Sequence, residues 1–283
     1  MNPFEQPIVT WFKKNKRDLP WRDTSPWGVM VSEYMLQQTP VIRVLPKWIE
    51  WMDRWSTPAD LATATPAEVI TAWGRLGYPR RALRLHTTAQ IIAEDFNNEV
   101  PEDIHTLRQL PGIGEYTAAA ISAFAFQKRT LVMDINIRRL LTRVIDGNEH
   151  PTSAPTSKEK AERQRLVPIK DAHIWAAATM ELGAVVCTSK NPKCEQCPVI
   201  DLCNWRLLGY PKTDLIRTSQ SWHGTDRKCR GTIVQALREN NSLTESAIKK
   251  LWPDESQVDK ALVTLLEDKL IQSISRSRYR LPQ

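Results

Sequence analysis

The chain has 283 residues, of which 41% are hydrophobic and 25% charged, a composition typical of a folded globular protein with a substantial core. Residues 1–11 show no cleavable leader pattern and no apolar stretch reaches membrane-spanning length, which predicts a cytoplasmic protein without a membrane partner. The net charge of +7 favours a polyanionic partner. The length allows two domains, or one large domain with an appendage.

Residues 4–205 are predicted to form helices joined by short loops. Apolar residues recur at helical spacing in segments such as "WGVMVSEYMLQQ" (27–38) and "VIRVLPKWIEWMDRW" (41–55). Thr65 and Pro66 form a capped helix start. Residues 147–164 are rich in proline, serine, threonine and charge, which indicates a loop that passes into a polar helix.

A second segment begins near Lys228. It contains three helical patterns, at 231–240, 243–252 and 255–270. Alternation then appears in "LIQSISRSRYRLP" with a turn at Arg276 and Ser277, as in a small hairpin, and no strand is predicted before residue 268. This is the layout of a winged helix. Such units bind nucleic acid in some proteins and make only protein contacts in others.

The stretch "LPGIGEYTAAA" (110–120) separates two predicted helices, 102–109 and 115–127. Gly112 and Gly114 allow a sharp turn whose amides point outward at a helix N-terminus, which suits a phosphate of any base sequence. A plain corner between two helices fits the same spacing.

Two carboxylic acids stand in positions that suit acid catalysis. The helical neighbours of Glu33 are largely apolar, so we expect its carboxyl group to keep a proton at neutral pH, as a general acid requires. A partnered Glu on a helix surface is the alternative. Asp134 precedes a predicted helix as an N-cap, and amide hydrogen bonds are expected to hold it rigid and ionised, ready to stabilise a developing cation. The two carboxyl groups would then divide the roles of acid and anion seen in glycosidic cleavage.

Four of the five cysteines cluster within seventeen residues with the spacing of a metal site. The spacing alone fits one zinc ion or an iron–sulfur cluster. Cys229 lies outside the group and is expected to be a small buried hydrophobic residue. The predicted ligands are Cys187, Cys194, Cys197 and Cys203.

Together these motifs resemble the helix-hairpin-helix DNA glycosylases, in particular their adenine-removing MutY branch. The resemblance covers roughly residues 4–210. The motifs, in the family's order, are "LPWR" (19–22), "SEYMLQQT" (32–39), "LGY" (76–78), "LPGIGEYTA" (110–118), "MDINIRR" (133–139), "MELGAVVC" (180–187) and the four cysteines.

The resemblance implies an all-α, two-lobed fold with a [4Fe-4S] cluster loop, followed by the small winged-helix-like domain. The catalytic region is expected over residues 1–222, with a six-helix lobe at about 26–133 and an iron–sulfur lobe made by the N-terminal segment and 134–210. The C-terminal domain is expected over residues 228–283.

The implied reaction is hydrolysis of the N-glycosidic bond of adenine opposite 8-oxoguanine or guanine in double-stranded DNA. The adenine first flips out of the duplex. By resemblance, Glu33 protonates the adenine and Asp134 stabilises the positive charge on the sugar. Positions that line the adenine pocket or lie near the sugar are occupied by Trp21, Arg22, Leu36, Val41, Glu181 and Asn136. Positions that enter the base stack or grip the backbone are occupied by Gln38, Tyr78, Gly112 and Gly114.

Tyr116 stands where strand-cutting relatives carry a lysine whose amine forms a Schiff base with the sugar. A phenol cannot form one, so we expect a monofunctional enzyme that leaves the strand intact, although other lysines could give a slow lyase reaction. No exposed heptad or long apolar face is left over, so a monomer is expected. As a DNA repair enzyme it would be associated with the nucleoid.

Several positions depart from the family's pattern. Ile135 replaces the glycine of the usual "DGN", and Pro79 changes the start of the helix after Tyr78. Nothing after Lys228 looks like the Nudix-like domain that reads 8-oxoguanine in many relatives. Basic residues expected to contact phosphate, or else to form a solvated face, are Arg80, Arg81, Arg84, Arg138, Arg139 and Arg143.

Three other functions fit parts of the sequence. A thymine or uracil glycosylase for G·T or G·U mispairs also carries tyrosine at the lyase position, but it needs no acid like Glu33 to protonate a purine. An endonuclease III-like glycosylase and lyase requires a lysine at position 116. A non-catalytic DNA-binding protein predicts a damaged acid pair, whereas Glu33 and Asp134 are both present. The cluster is expected to be structural, with redox sensing as the alternative.

Overall fold

The structure, a computed structural model, describes residues 2–213 and 224–283. In these ranges the chain folds mainly into helices joined by short loops, as the sequence predicts. No helix of the described part combines the length and the apolar composition of a membrane span. The helices are α1 (Glu5–Asn15), α2 (Pro26–Leu36), α3 (Val41–Arg54), α4 (Pro58–Ala62), α5 (Pro66–Trp73), α6 (Arg80–Asp95), α7 (Ile104–Gln109), α8 (Glu115–Phe126), α9 (Ile135–Leu141), α10 (Ser157–Gln164), α11 (Ala172–Val185), α12 (Asn204–Leu207), α13 (Asp226–Glu239), α14 (Glu245–Lys249) and α15 (Glu255–Glu267).

The start of α5 shows why local sequence predicts many of these helices. Thr65 precedes Pro66, whose fixed φ suits the first helical position. The Thr65 hydroxyl accepts a hydrogen bond from the Glu68 amide at 3.3 Å, and the Glu68 carboxylate accepts one from the Thr65 amide at 2.9 Å. This reciprocal capping box satisfies two amides that the helix itself leaves without acceptors.

The C-terminal segment, residues 224–283, contains α13, α14 and α15 followed by a hairpin. The hairpin strands are β2 (Gln272–Ser275) and β3 (Arg278–Arg280), which pair antiparallel with Ser273 opposite Tyr279. The predicted helices and turn are therefore confirmed. A two-residue strand, β1 (Leu243–Thr244), pairs with the other edge of β3. The expectation of no strand before residue 268 is wrong here, since two residues are too short to show alternation.

The described residues form two compact units, each assembled from separate stretches of the chain. The first contains residues 2–29, Glu102–Gln109 and 113–213, and the second contains Met30–Pro101, Leu110–Gly112 and 224–283. The C-terminal segment thus shares a unit with α3 to α6. The division into domains 1–222 and 228–283 stays a prediction, and residue 222 lies outside the described residues.

The core of the first unit lies between α1, α8, α9 and α11. Phe12 of α1, Leu140 of α9 and Leu182 of α11 are buried in it. Gly183 allows α11 and α9 to approach closely, because a β-carbon built on it would lie 2.5 Å from the carbonyl oxygen of Asn136. A larger residue at position 183 would therefore displace the first turn of α9, which follows directly on Asp134.

The C-terminal segment packs on α5 through a continuous apolar core. Ile70 of α5 is buried together with Cys229 and Ile233 of α13 and Leu265 of α15. The Arg238 guanidinium adds a hydrogen bond to the carbonyl oxygen of Ile70 at 3.1 Å. Cys229 is fully buried, which confirms its interpretation as a small hydrophobic residue.

Four of the six arginines expected on the surface are buried instead. Arg138 pairs with Glu159 at 2.9 Å, while Arg139 and Arg143 donate to backbone carbonyl groups. Arg80 stays exposed and lies 3.1 Å from Asp268. Both expectations, phosphate contact and solvated face, are wrong for the buried residues, which are Arg81, Arg138, Arg139 and Arg143.

Arg81 shows the physical reason. Its guanidinium group is buried and its N–H donors point at backbone oxygens of the end of α2 and of the turn before α6, so it joins these two loops. Burial lowers the pKa of Arg81 to about 10, which leaves the group charged at neutral pH. The acceptors are the carbonyl oxygens of Tyr34, Met35, Gln37, Leu76 and Gly77 and the hydroxyl of Thr39.

Replacing Arg81 with methionine should destabilise the protein by roughly 3 kcal/mol or more, because several buried carbonyl groups would lose their donor. The free energy of unfolding in urea measures this. The exposed Arg43 provides the matched control, and Arg43→Met is expected to change stability by less than about 0.5 kcal/mol. Equal effects of the two substitutions would contradict a structural role for Arg81.

Candidate functional site

The predicted turn between α7 and α8 is present and requires its first glycine. Gly112 has a φ of +88°, and an added β-carbon would lie 3.0 Å from the Tyr34 ring and 3.2 Å from the side chain of Arg84. Gly114 is the extended N-cap of α8 and has no such neighbour within 4 Å. A phosphate site at this turn stays a prediction.

Tyr34 of α2 holds the turn from behind. Its buried hydroxyl donates to the carbonyl oxygen of Pro111 and lies 3.0 Å from the hydroxyl of Thr88. Burial raises the pKa of Tyr34, so the phenol keeps the proton that it donates. The same helix therefore carries Glu33 and, one residue later, the support of the turn.

Glu33 is buried, with only 6% of its surface exposed. Its position in α2 places it among apolar residues such as Val29 and Met30, which are also buried. The alternative of a helix-surface residue is excluded by this burial. The role of general acid stays a prediction.

Asp134 is the N-cap of α9, as the sequence predicts. One carboxylate oxygen accepts from the Ile137 amide at 2.7 Å and the other accepts from the Asn136 side chain at 2.8 Å. Burial nevertheless raises the pKa of Asp134, because it outweighs these hydrogen bonds and the charge of Arg139. The residue keeps some exposure, but its carboxyl group is closely surrounded by protein atoms. The hydrogen bonds of the cap favour ionisation, as expected, but burial opposes it more strongly.

Asn136 connects Asp134 to the cysteine loop. Its side-chain oxygen accepts a hydrogen bond from Arg139 at 2.9 Å. Arg139 also donates to the carbonyl oxygens of Gly183 at 2.6 Å and Cys187 at 2.8 Å. The orientation of the Asp134 carboxylate thus depends on the backbone at the first of the four cysteines.

Arg22 and Glu181, predicted to line the adenine pocket, form an ion pair at 2.9 Å. Arg17 adds a second ion pair with Glu181 at 2.7 Å. Burial opposes ionisation of Glu181, but the hydrogen bonds from Arg17 and the charges of Arg22 and Arg17 outweigh it and lower the pKa of Glu181. Sequence reasoning missed Arg17, since nothing in the sequence pairs it with a residue 164 positions away.

The other residues of the predicted pocket are placed as follows. Trp21 is buried in the short 3₁₀ turn Pro20–Arg22. Leu36 is the last residue of α2 and Val41 the first of α3, and both are partly exposed. Their role in binding adenine stays a prediction.

Gln38 and Tyr78, the two predicted wedge residues, share an unusual backbone. Both are exposed, and their φ angles are 56° and 48°, in the left-handed region that non-glycine residues rarely adopt. Arg81 binds the loops on which both stand. Such conformations persist only where surrounding contacts enforce them, and they are often found at functional sites.

A cavity of about 400 Å³ opens beside Tyr116. Met133, which directly precedes Asp134, lines it together with Lys160. The Lys160 ammonium group is held by both oxygens of Glu115, at 2.6 and 2.7 Å. Sequence reasoning missed Lys160, because it lies in a polar helix without a motif.

The four cysteines line a single cavity at the end of α9. No three His, Cys, Asp or Glu side chains of the described residues converge closely enough to hold one metal ion. Burial raises the pKa of the Cys197 thiol to about 12, so a thiolate there needs the positive charge of a metal. Four separated thiols around one cavity fit a cluster better than a single zinc ion.

Two families match the sequence. Residues 31–181 match the HhH-GPD superfamily of base excision DNA repair proteins, and residues 187–203 match the iron–sulfur binding domain of endonuclease III. The second range begins and ends on Cys187 and Cys203. The chain therefore binds a [4Fe-4S] cluster in this loop, and the four cysteines that line the cavity remain its predicted ligands.

Curated adenine DNA glycosylases are similar to this chain, two bacterial ones over nearly its whole length. The relative from Mycobacterium tuberculosis (strain ATCC 25618 / H37Rv) is 44% identical over 281 residues, covering 97% of this chain and 92% of its own. The relative from Mycolicibacterium smegmatis is 44% identical over 280 residues, with 97% and 94% covered. The human relative is 41% identical over 214 residues, with 72% of this chain and 39% of its own covered.

Solved structures share the helical fold. A thermostable thymine-DNA glycosylase superposes with a TM-score of 0.67 at 26% identity, covering 72% of this chain and 95% of that chain. A trapped endonuclease III–DNA covalent intermediate gives 0.63 at 19% identity, with the same coverage. With its matching superfamily region, its cysteine loop and its full-length similarity to these relatives, the chain belongs to the adenine DNA glycosylase family.

Proposed function

We propose that this protein is a monofunctional DNA glycosylase, active as a monomer, that removes adenine paired with 8-oxoguanine or guanine in double-stranded DNA. The carrying observation is that a buried Glu33 and a capped Asp134 are both retained in a chain 44% identical to curated adenine DNA glycosylases. Adenine must leave the base stack before its glycosidic bond can be reached.

Glu33 supplies the proton in this mechanism. Adenine leaves poorly as an anion, and protonation of its ring converts it into a neutral leaving group. The burial of Glu33 supports this role, because burial disfavours the charged form of a carboxyl group. After the bond breaks, Glu33 is left as a carboxylate that can be reprotonated from solvent.

Asp134 stabilises the sugar as positive charge develops on it. Its burial disfavours the negative charge in the free protein, which is the cause of its raised pKa. The oxocarbenium-like sugar restores a favourable environment for that charge. The interaction is therefore stronger in the transition state than in the ground state, which is what acceleration requires.

Tyr116 limits the reaction to hydrolysis. Its phenol replaces the amine that would otherwise attack the sugar. Lys160 lines the same cavity, but it is paired with Glu115 and stands on another helix. Water is thus the nucleophile, and the strand stays intact.

The alternative function is that of a thymine or uracil glycosylase, which has the same fold but does not need an acid to protonate the departing base. The thermostable thymine-DNA glycosylase is 26% identical, well below the curated adenine enzymes. Release of thymine from a neutral ring requires no protonation at a purine nitrogen, so Glu33 would then have no catalytic task. Substrate choice therefore distinguishes the two functions.

We expect single-turnover base release from duplexes with adenine opposite 8-oxoguanine or guanine, and none from thymine or uracil opposite guanine. Strand breaks should appear only after alkali. Glu33→Gln should lower the rate of adenine release by about 10²–10⁴ with binding retained, because the amide cannot donate the proton. Release of thymine, unaffected by this substitution, would contradict the adenine assignment.

Replacing Asp134 with asparagine should separate activity from stability. The amide still caps α9 but carries no charge, so the rate should fall by about 10²–10³. Burial raises the pKa of Asp134 in the folded protein above its value in the unfolded chain. Ionisation of Asp134 therefore destabilises the fold once the pH exceeds the ordinary pKa of an Asp side chain. Asp134→Asn should therefore be at least as stable as the parent at pH 7, and the difference should vanish below pH 3.

Thermal unfolding at both pH values and single-turnover kinetics test this. Asp103, an exposed residue that accepts from the Thr106 amide at 2.8 Å, supplies the control. Hydrogen bonding lowers the pKa of Asp103, so Asp103→Asn should lose some stability at neutral pH while keeping activity. A variant at 134 that unfolds more easily at pH 7 would show that its carboxylate is mainly structural.

Tyr116→Lys should convert the enzyme into a glycosylase that also cuts the strand. The new amine would stand in the cavity beside Met133 and could form a Schiff base with the sugar. Borohydride trapping of a protein–DNA adduct measures it. The parent should give at most a small amount of trapped adduct through its other lysines. Lys160→Ala in the parent should leave this amount unchanged. A decrease in trapped adduct would show that Lys160 supplies an amine.

A further inference from the structure

Two guanidinium groups lie close to the ring of Tyr78, the predicted wedge. Arg81 lies 5.5 Å from the ring centroid and Arg227 lies 5.3 Å from it. Arg227 also donates a hydrogen bond to the Tyr78 hydroxyl at 2.6 Å. Arg227 is the second residue of α13, so an element of the C-terminal segment reaches this side chain.

The N-terminus of α13 is held firmly by its own surroundings. Thr225 caps the helix by accepting from the Lys228 amide at 3.3 Å. Gln257 of α15 donates to the carboxylate of Asp226 at 2.6 Å and to the carbonyl oxygen of Gly224 at 3.1 Å. Arg227 therefore projects from a fixed turn rather than from a free end.

A second connection joins the same helix to the chain beside Tyr78. Asp268, after α15, pairs with Arg230 of α13 and lies 3.1 Å from Arg80 at the start of α6. Together with the apolar core around Ile70, this fixes α13 relative to the turn that carries Tyr78. The contact of Arg227 with the phenol is thus supported by packing on both sides.

We propose that Arg227 is a positioning residue for Tyr78, so that the C-terminal segment takes part in opening the mispair. The proposal rests on the proposed function, in which the Tyr78 ring enters the base stack. Tyr78 is 43% exposed. The hydrogen bond from Arg227 to its hydroxyl restrains rotation of the Tyr78 side chain. A ring held in one orientation loses less conformational entropy on inserting between bases than a freely rotating one.

A double-mutant cycle tests the proposal on the full-length protein. Arg227→Ala should slow single-turnover adenine release roughly three- to tenfold, the loss expected from one hydrogen bond and one cation–π contact. Tyr78→Ala should slow it more strongly. In the Tyr78→Ala background, Arg227→Ala should have little further effect, because the two side chains act as one.

The variants also distinguish positioning from direct phosphate binding. If Arg227 only contacts phosphate, the effects of Arg227→Ala and Tyr78→Ala on the rate should be additive. Arg227→Ala should then also lower the slope of log affinity against log salt by about one. That result, or a faster rate for Arg227→Ala, would overturn the proposal. Arg227→Lys should restore only part of the rate, since lysine keeps the charge but not the planar fork.

A fluorescent base gives a readout that does not depend on base release. With 2-aminopurine beside the mispair, Arg227→Ala should reduce the unstacking signal on binding. A parent protein that unstacks this base but releases no adenine would contradict the proposed function and leave the inference about Arg227 standing. Arg276→Ala, at the exposed hairpin turn of the same segment, is the charge-matched control, and it should match the parent in rate, unstacking and melting temperature.

Discussion

A guanidinium group carries five N–H donors, and once it is buried each of them needs an acceptor fixed in place. The two terminal nitrogens of Arg81 meet this requirement with oxygens from two loops, those that carry Gln38 and Tyr78, while its buried Nε has no acceptor among the described residues. Arg139 donates to Asn136, Gly183 and Cys187. The loops of the candidate site are thus ordered by cations in the interior, because these loops have few apolar side chains to bury.

The same constraint explains how exposed residues keep strained conformations. Left-handed backbone at Gln38 and Tyr78 is unfavourable for residues with a β-carbon. Arg81 binds the carbonyl of Gln37 on one side and that of Gly77 on the other, immediately before each strained residue. A mobile surface loop would relax to an extended conformation, whereas the hydrogen bonds from Arg81 restrain the backbone next to Gln38 and Tyr78.

Local sequence predicted what depends on neighbouring residues in the chain. Helix periodicity, the capping box at Thr65, the N-cap at Asp134 and the terminal hairpin follow from contacts within a few residues. The cysteine group was recognisable because its members are close in sequence. The resemblance to a known family added the roles of individual residues, and those roles remain predictions.

Long-range partners could not be predicted in this way. Nothing near Arg17 indicates a carboxylate 164 residues away, and nothing near Tyr78 indicates Arg227, 149 residues further on. Charge in the sequence was read as surface charge for the same reason. Arg81, Arg138, Arg139 and Arg143 are buried because acceptors distant in the sequence surround them, and only the folded chain brings those acceptors together.

Glu181 and Asp134 show how the fold gives two carboxylates opposite pKa shifts. Glu181 faces the guanidinium groups of Arg17 and Arg22, which outweigh its burial and lower its pKa. Asp134 receives hydrogen bonds from an amide and from the uncharged Asn136, and these do not outweigh burial, so its pKa is raised. A carboxylate already neutralised by two cations has little to gain from a further positive charge, while a carboxylate whose charge is less compensated has more to gain. The Ile137 amide and the Asn136 side chain that donate to Asp134 are uncharged, and the nearby charge of Arg139 does not offset burial, so the negative charge of Asp134 is less compensated than that of Glu181.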